Sequence, residues 1–146
     1  MDFKAIAVGG LLPAVLLGIA TCLMKFSLRH HISIPTYITV VGATVCVVGI
    51  AALAFTRDWQ ITTQSGWTAA AMGLVWSGAS VAMAIGITKM DLPVAIIAPL
   101  SNSNAIVAVL LSALLFNEWQ SLDVTKVLLG TGLIVVGASV ISAANA

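Results

Sequence analysis

The sequence predicts an all-α protein, an integral membrane bundle of five transmembrane helices, and three observations carry that prediction. The first is the spacing of charge. Residues 5–24, 59–88, 92–117 and 127–146 contain no Asp, Glu, Lys or Arg, and residues 30–56 contain none either, with His30 and His31 at their edge. The second is composition: the 146 residues are 60% hydrophobic and 8% charged, with a mean hydropathy of +1.13. A soluble domain carries about 25% charged residues. The third is length. A hydrocarbon core about 30 Å thick is crossed by roughly 20 apolar residues of helix. Lipid offers no partner to backbone N–H and C=O groups, so such segments cross as helices.

The elements follow in order. The first crossing is expected at residues 5–24. Lys4 ahead of an apolar run resembles a secretory signal, and Ile19-Ala20-Thr21-Cys22 a lipoprotein cleavage box. A signal's apolar core is only about 7–15 residues long, however, so this run reads as a membrane helix. Pro13 removes one of its hydrogen bonds and predicts a bend. The second crossing is expected at 35–55, with Pro35 in its first turn, and the third at 66–88. Asp91-Leu92-Pro93 opens the fourth, at 93–116, with Asp91 as N-cap and Pro93 in the first turn. The fifth covers 124–143, where Glu118 and Asp123 read as carboxylates favouring the helix N-terminus. Trp59, Trp67 and Trp119 fall at crossing ends, the headgroup level that indoles prefer.

No polar linker divides the chain, so residues 1–146 read as a single five-helix domain. Small residues recur at intervals of seven, at Gly42 and Gly49, at Gly66, Gly73 and Ser80, and at Gly130 and Gly137. That spacing predicts seams along which helices approach closely. Cys22 and Cys46 read as small packing residues rather than a disulfide or a metal pair.

Five crossings place the termini on opposite sides. One side then receives Lys4, Arg57 and Lys126, and the other Lys25, Arg29 and Lys89. The Lys/Arg excess that fixes orientation is absent. Such a balance invites insertion in both orientations and antiparallel self-pairing, although six charges tie by chance about one time in three. The formal net charge of +1, with no basic stripe, excludes a nucleic-acid partner.

The strongest local signal is Pro99-Leu100-Ser101-Asn102-Ser103-Asn104. At about 1.5 Å per residue from Pro93, Ser101 lies about 12 Å in and Asn104 about 16 Å, close to the midplane. A carboxamide left unpaired in hydrocarbon costs on the order of several kcal/mol, so neither asparagine is expected to face lipid. Asn102 and Asn104 point about 160° apart. The fourth helix should therefore be enclosed by protein or aqueous cavity on most sides. Pro99 also frees the carbonyl of Ala95. A substrate cavity and interhelical hydrogen bonding are the two readings of this cluster. Trp76 and Ser80, with Ser77, lie mid-way along the third crossing, where an indole beside small polar groups either walls a pocket or packs. Thr21 is a further candidate for solute contact. Lys25 either snorkels to the interface or lines a polar vestibule.

No Asp or Glu lies within a crossing, which argues against proton coupling through a buried carboxylate. No His, Cys or carboxylate constellation sits at depth, and His30-His31 lacks metal-ligand spacing. Neither enzymatic activity nor a metal or other cofactor is expected.

Several of these residues carry a resemblance. Asp91-Leu92-Pro93, Pro99, Leu115-Phe116-Asn117-Glu118-Trp119, and Gly130 with Gly137, together with Lys25 and the glycine-bearing third helix, resemble the drug/metabolite transporter superfamily, specifically its EamA-type five-helix repeat. The family usually carries two such repeats, inverted relative to each other, and moves small metabolites by alternating access. The resemblance therefore implies a half-size transporter subunit in a prokaryotic plasma (inner) membrane. A second copy of the chain or another membrane chain would complete it. The first helix lacks the glutamate of the smaller four-helix multidrug branch, and the second lacks the arginine frequent in longer members. The expected partners are a small polar solute, the lipid bilayer and a homo-oligomer or second chain. The alternatives are a non-transporting scaffold subunit and a flippase for a lipid-linked sugar.

Overall fold

The computed structural model describes residues 3–116 and 123–143; the expectations placed on Asn117, Glu118 and Trp119 lie outside them. Two compact units divide the chain. The first, Met1–Asp91, holds α1 (Phe3–Ile6), a π-helical turn (Ala7–Leu11), α2 (Leu12–Arg29), α3 (Ile34–Thr56) and α4 (Thr63–Lys89). In it α2, α3 and α4 each pack against the other two. The second, Leu92–Ala146, holds α5 (Val94–Asn102), α6 (Asn104–Phe116) and α7 (Val124–Ala143), with α5 lying along α7. No strand occurs among the described residues.

Five stretches are long and apolar enough to cross a bilayer: Phe3–Arg29, Ile34–Thr56, Thr63–Lys89, Val94–Phe116 and Val124–Ala143. They match the five expected crossings, and the first extends several residues further than its charge-free run alone suggests. The distribution of apolar side chains is that of a protein solvated by hydrocarbon. α3 buries no residue at all. Phe55 is 90% exposed and Leu114 79%, whereas a soluble monomer rarely shows contiguous apolar patches beyond a few hundred Å². The chain is an all-α, multi-pass membrane protein.

Local chemistry sets the helix ends. Ser33 caps α3, its Oγ accepting from the Thr36 N–H at 3.3 Å. Thr62 and Ser65 form a reciprocal pair at the start of α4: Ser65 N–H donates to Thr62 Oγ1 at 3.2 Å and Thr62 N–H to Ser65 Oγ at 2.9 Å, which satisfies two otherwise orphan donors. At the other ends stand three non-glycine residues with left-handed backbones, His31 (φ 61°), Arg57 (φ 53°) and Asp91 (φ 56°). Each follows a helix and turns the chain out of it. Asp91 is thus not the N-cap of the fourth crossing. Pro93 occupies that position, with an extended backbone (φ −64°, ψ 139°), and its carbonyl accepts from Ile96 and Ile97. Asp91 instead ends α4, where a short polar side chain tolerates the left-handed region.

Arg57 shows the stability consequence. Its N–H closes α3 on the Leu53 carbonyl at 2.8 Å, so its φ is fixed by a hydrogen bond. A β-branched side chain there costs about 1–2 kcal/mol. We expect Arg57→Val to lower the thermal midpoint of the detergent-solubilised protein and Arg57→Gly to match or exceed the parent.

Three further expectations meet the structure at the level of single residues. Pro13 is expected to bend the first helix. The adjustment falls just upstream, where the Leu12 N–H reaches the Ala7 carbonyl and Ala7–Leu11 widens into a π-helical turn. The pyrrolidine ring of Pro13 would otherwise meet the carbonyl four residues earlier, at Gly9. The glycine seams do not make close helix contacts: a Cβ added at Gly42, Gly49, Gly73, Gly130 or Gly137 would meet nothing within 4 Å, and only at Gly66 is there a neighbour, the Ile61 side chain at 3.4 Å. Cys22 and Cys46 are free and exposed rather than packed. For the glycines and the cysteines the spacing or residue type is that of a tight fit, but among the described residues the faces concerned look outward.

Candidate functional site

The fourth crossing is not one helix. α5 stops at Asn102 and α6 starts at Asn104. Pro99, inside α5, has no N–H to donate, and its ring crowds the Ala95 carbonyl. Four residues on, Ser103 (φ −65°, ψ −7°) leaves the α-helical ψ of about −42°. Its N–H goes to Leu100 at 3.1 Å, and its carbonyl accepts from Ile106 at 3.1 Å. Both bonds span three residues rather than four, the tighter 3₁₀ pattern that often marks strain or a hinge inside a longer helix. The sequence signalled a freed Ala95 carbonyl at Pro99 and missed the break at Ser103. The missed signal is the Ser-Asn-Ser-Asn run, since these side chains compete with the helix for backbone groups.

The break lies at the centre of its crossing. Asn104 is ten residues after Val94 and twelve before Phe116. Asn102 and Asn104 are both exposed, and neither carboxamide has a hydrogen-bond partner among the described residues. The described residues do not themselves enclose these two side chains. Whatever satisfies these groups at mid-membrane depth comes from outside the described residues.

The hydroxyls behave differently. Ser101 Oγ donates to the Ala98 carbonyl at 2.9 Å and Thr21 Oγ1 to Leu17 at 2.8 Å. Thr39, Thr44, Thr56 and Thr88 return their hydroxyls to carbonyls four residues back in the same way. A hydroxyl so engaged keeps its lone pairs but has spent its donor. Ser101 and Thr21 thus remain as acceptors, while Asn102 and Asn104 keep full donor and acceptor capacity.

On α4, Ser80 is buried at 6% exposure, and its hydroxyl has no partner among the described residues. Trp76 is 44% exposed, with its indole in place to contact whatever borders that face. Lys25 is half-buried and lies inside α2, whose helix runs on to Arg29; a cation near this end complements the helix dipole. Two open concavities do not include these residues. One, of about 500 Å³, is an open apolar groove along α2 around Gly18 and Cys22. Another of similar size lies at the start of α4 around Gly66 and Trp67. Among the described residues no three His, Cys, Asp or Glu side chains are grouped to hold a metal ion.

Asp123 has the capping role expected of it. Its Oδ1 accepts from the Lys126 N–H at 3.3 Å, and Oδ2 meets Lys126 Nζ at 2.9 Å. These contacts, the side-chain one foremost, hold the carboxyl below its ordinary value of 3.8. A depressed carboxylate pKa adds stability above the unfolded value and loses it as pH falls through the folded one. We expect the parent to lose more stability than Asp123→Asn between pH 5 and pH 3 (about the span below which such carboxylates protonate), the effect being small because the pair is exposed. Thermal midpoints across that range check this.

No family model matches the chain, and neither a curated protein nor a solved structure is detectably similar to it.

Proposed function

We propose that the chain is a membrane transporter subunit that passes a small polar solute by alternating access, working as an antiparallel dimer. The observation that carries this reading is the helix break at Ser103, with two unpartnered carboxamides beside it at mid-membrane depth. Interrupted helices near the midplane are the usual way that a membrane protein presents backbone and polar side chains to a solute, because irregular backbone is tolerated there only against protein or water. Asn102 and Asn104 would offer donors and acceptors to an uncharged polar group, and Ser101 an acceptor. Trp76 and Ser80 on α4, and Thr21 and Lys25 on α2, are further candidates for contact with the solute or its entry path. No carboxylate lies within the five spans among the described residues. Solutes with hydroxyl or amide groups therefore suit the site better than an isolated cation, and facilitated passage or exchange better than proton antiport.

The resemblance to an EamA-type repeat supports the same reading and adds the prokaryotic inner membrane as its setting. The competing reading is a scaffold subunit. The unpartnered carboxamides favour it equally well in one respect, since they could hydrogen-bond to a helix of another chain. Swelling of liposomes separates the two. Vesicles containing the purified chain should swell faster than protein-free vesicles in at least one of a panel of polyols, sugars and neutral amino acids. No difference across the panel would contradict transport and leave the scaffold reading.

A further inference from the structure

We infer that Asn104 sits on the two-fold axis of an antiparallel dimer, where its carboxamide pairs with the same group of a second copy; this deepens the transporter reading above and rests on it.

Asn104 stands on an outward-looking apolar stripe. At 100° per residue along α6, Val107, Ala108, Leu111 and Leu115 share its side, and all of them are exposed; before the break Leu100 is exposed, Ser101 half-buried and Ile97 buried. A carboxamide at the head of such a stripe is incompatible with a face that lipid covers, because its donors and acceptor would go unmet. The Val and Leu side chains that follow it along α6 are equally unsuited to a water-filled channel. A second protein surface, apolar with one polar group at the matching height, satisfies both conditions.

Two observations identify that surface as another copy of the chain. A carboxamide is both donor and acceptor, so it is its own complement: a reciprocal pair uses one N–H and one carbonyl lone pair from each side. And in an isologous interface, only a residue on the axis meets itself. For two antiparallel helices in a membrane, that axis lies in the midplane. Asn104 is within about two residues of the centre of its crossing, the height at which self-pairing is possible. A parallel copy would also align Asn104 with itself, but it would require a single orientation. The equal division of Lys and Arg, three to each side, gives the insertion machinery no such preference. After pairing, each carboxamide retains one N–H and one lone pair for a solute, so the site is complete only when two copies supply it.

Cysteine cross-linking in native membranes tests the geometry, with Cys22 and Cys46 replaced by serine. About an axis at Asn104, Leu100 of one copy faces Ala108 of the other. Co-expressed Leu100→Cys and Ala108→Cys chains, carrying different tags and an intact Asn104, should form a mixed disulfide on oxidation. Neither chain alone should form one. Asn104→Leu added to both should reduce the mixed product several-fold, and Asn104→Gln should largely preserve it. Leu100→Cys linking to itself would show parallel pairing and overturn the inference. No disulfide in any combination, in membranes where liposome swelling and two-sided insertion persist, would place the dimer contact elsewhere and overturn the inference while sparing the transporter reading. Loss of swelling and of two-sided insertion in the parent would overturn both.

Discussion

Asn102→Ala is expected to slow solute flux about ten-fold while leaving membrane levels and dimerisation unchanged. A net hydrogen bond is worth about 0.5–1.5 kcal/mol, and a polar group left unmet costs about 1–3 kcal/mol. At about 1.4 kcal/mol per factor of ten, losing one carboxamide contact to a solute corresponds to roughly a ten-fold change. The sign of the stability effect is as informative as the flux. Asn102 has no partner among the described residues, so alanine removes a polar side chain without orphaning another protein group. Thermal stability should hold or rise. If Asn102 instead bonded to another chain as structural glue, the same substitution would reduce the amount of assembled complex, and flux would fall only in proportion. Flux per assembled dimer, measured in liposomes for parent and variant, separates these outcomes.

A carboxylate placed at the centre of a lipid-facing span should have a larger effect on accumulation than any substitution at the helix ends. Val47 in α3 is 65% exposed and Leu133 in α7 is 73% exposed, and each lies near the middle of its crossing. Aspartate at a span centre costs about 2.5–3.5 kcal/mol on insertion scales. We therefore expect Val47→Asp and Leu133→Asp to reduce membrane-inserted protein severely, and Gln60→Asp, in the connection before α4, to leave it near the parental level. Quantitative blotting of carbonate-washed membranes gives the comparison. Normal insertion of Val47→Asp and Leu133→Asp would mean that these faces meet water or a polar partner rather than lipid.

The architecture was legible because the bilayer imposes a coarse and strict rule: about 20 residues without charge must form a helix. The ends of α3, α4 and α7 fell within three residues of the expected crossings, and Asp123 could be read as a cap from its position alone. What remained hidden depends on local competition or on neighbours. The π-helical turn at Ala7–Leu11 results from where the ring of Pro13 meets the preceding turn, and the sequence marks only the proline. The break at Ser103 needs Pro99 and the Ser-Asn run acting together, and their individual readings suggested a freed carbonyl and a polar cluster. Gly42, Gly49, Gly130 and Gly137 show a second limit. Their spacing says that a surface can approach closely, but not whether that surface belongs to the same chain, and here nothing among the described residues does so. Asn102 and Asn104 meet the same limit. The need for a partner was readable from the cost of a bare carboxamide, whereas its source was not.

Dual insertion underlies both the solute site and the pairing at Asn104, and the side of the membrane on which the C-terminus emerges tests it most directly. Two reporters, one active only inside the cell and one only outside, would be fused in turn after Ala146 at matched expression. The account predicts substantial signal from both fusions, in line with the equal Lys and Arg on the two sides. Signal from one reporter alone, with the other silent at the same protein level, would contradict antiparallel self-assembly and leave completion of the site to a different membrane chain.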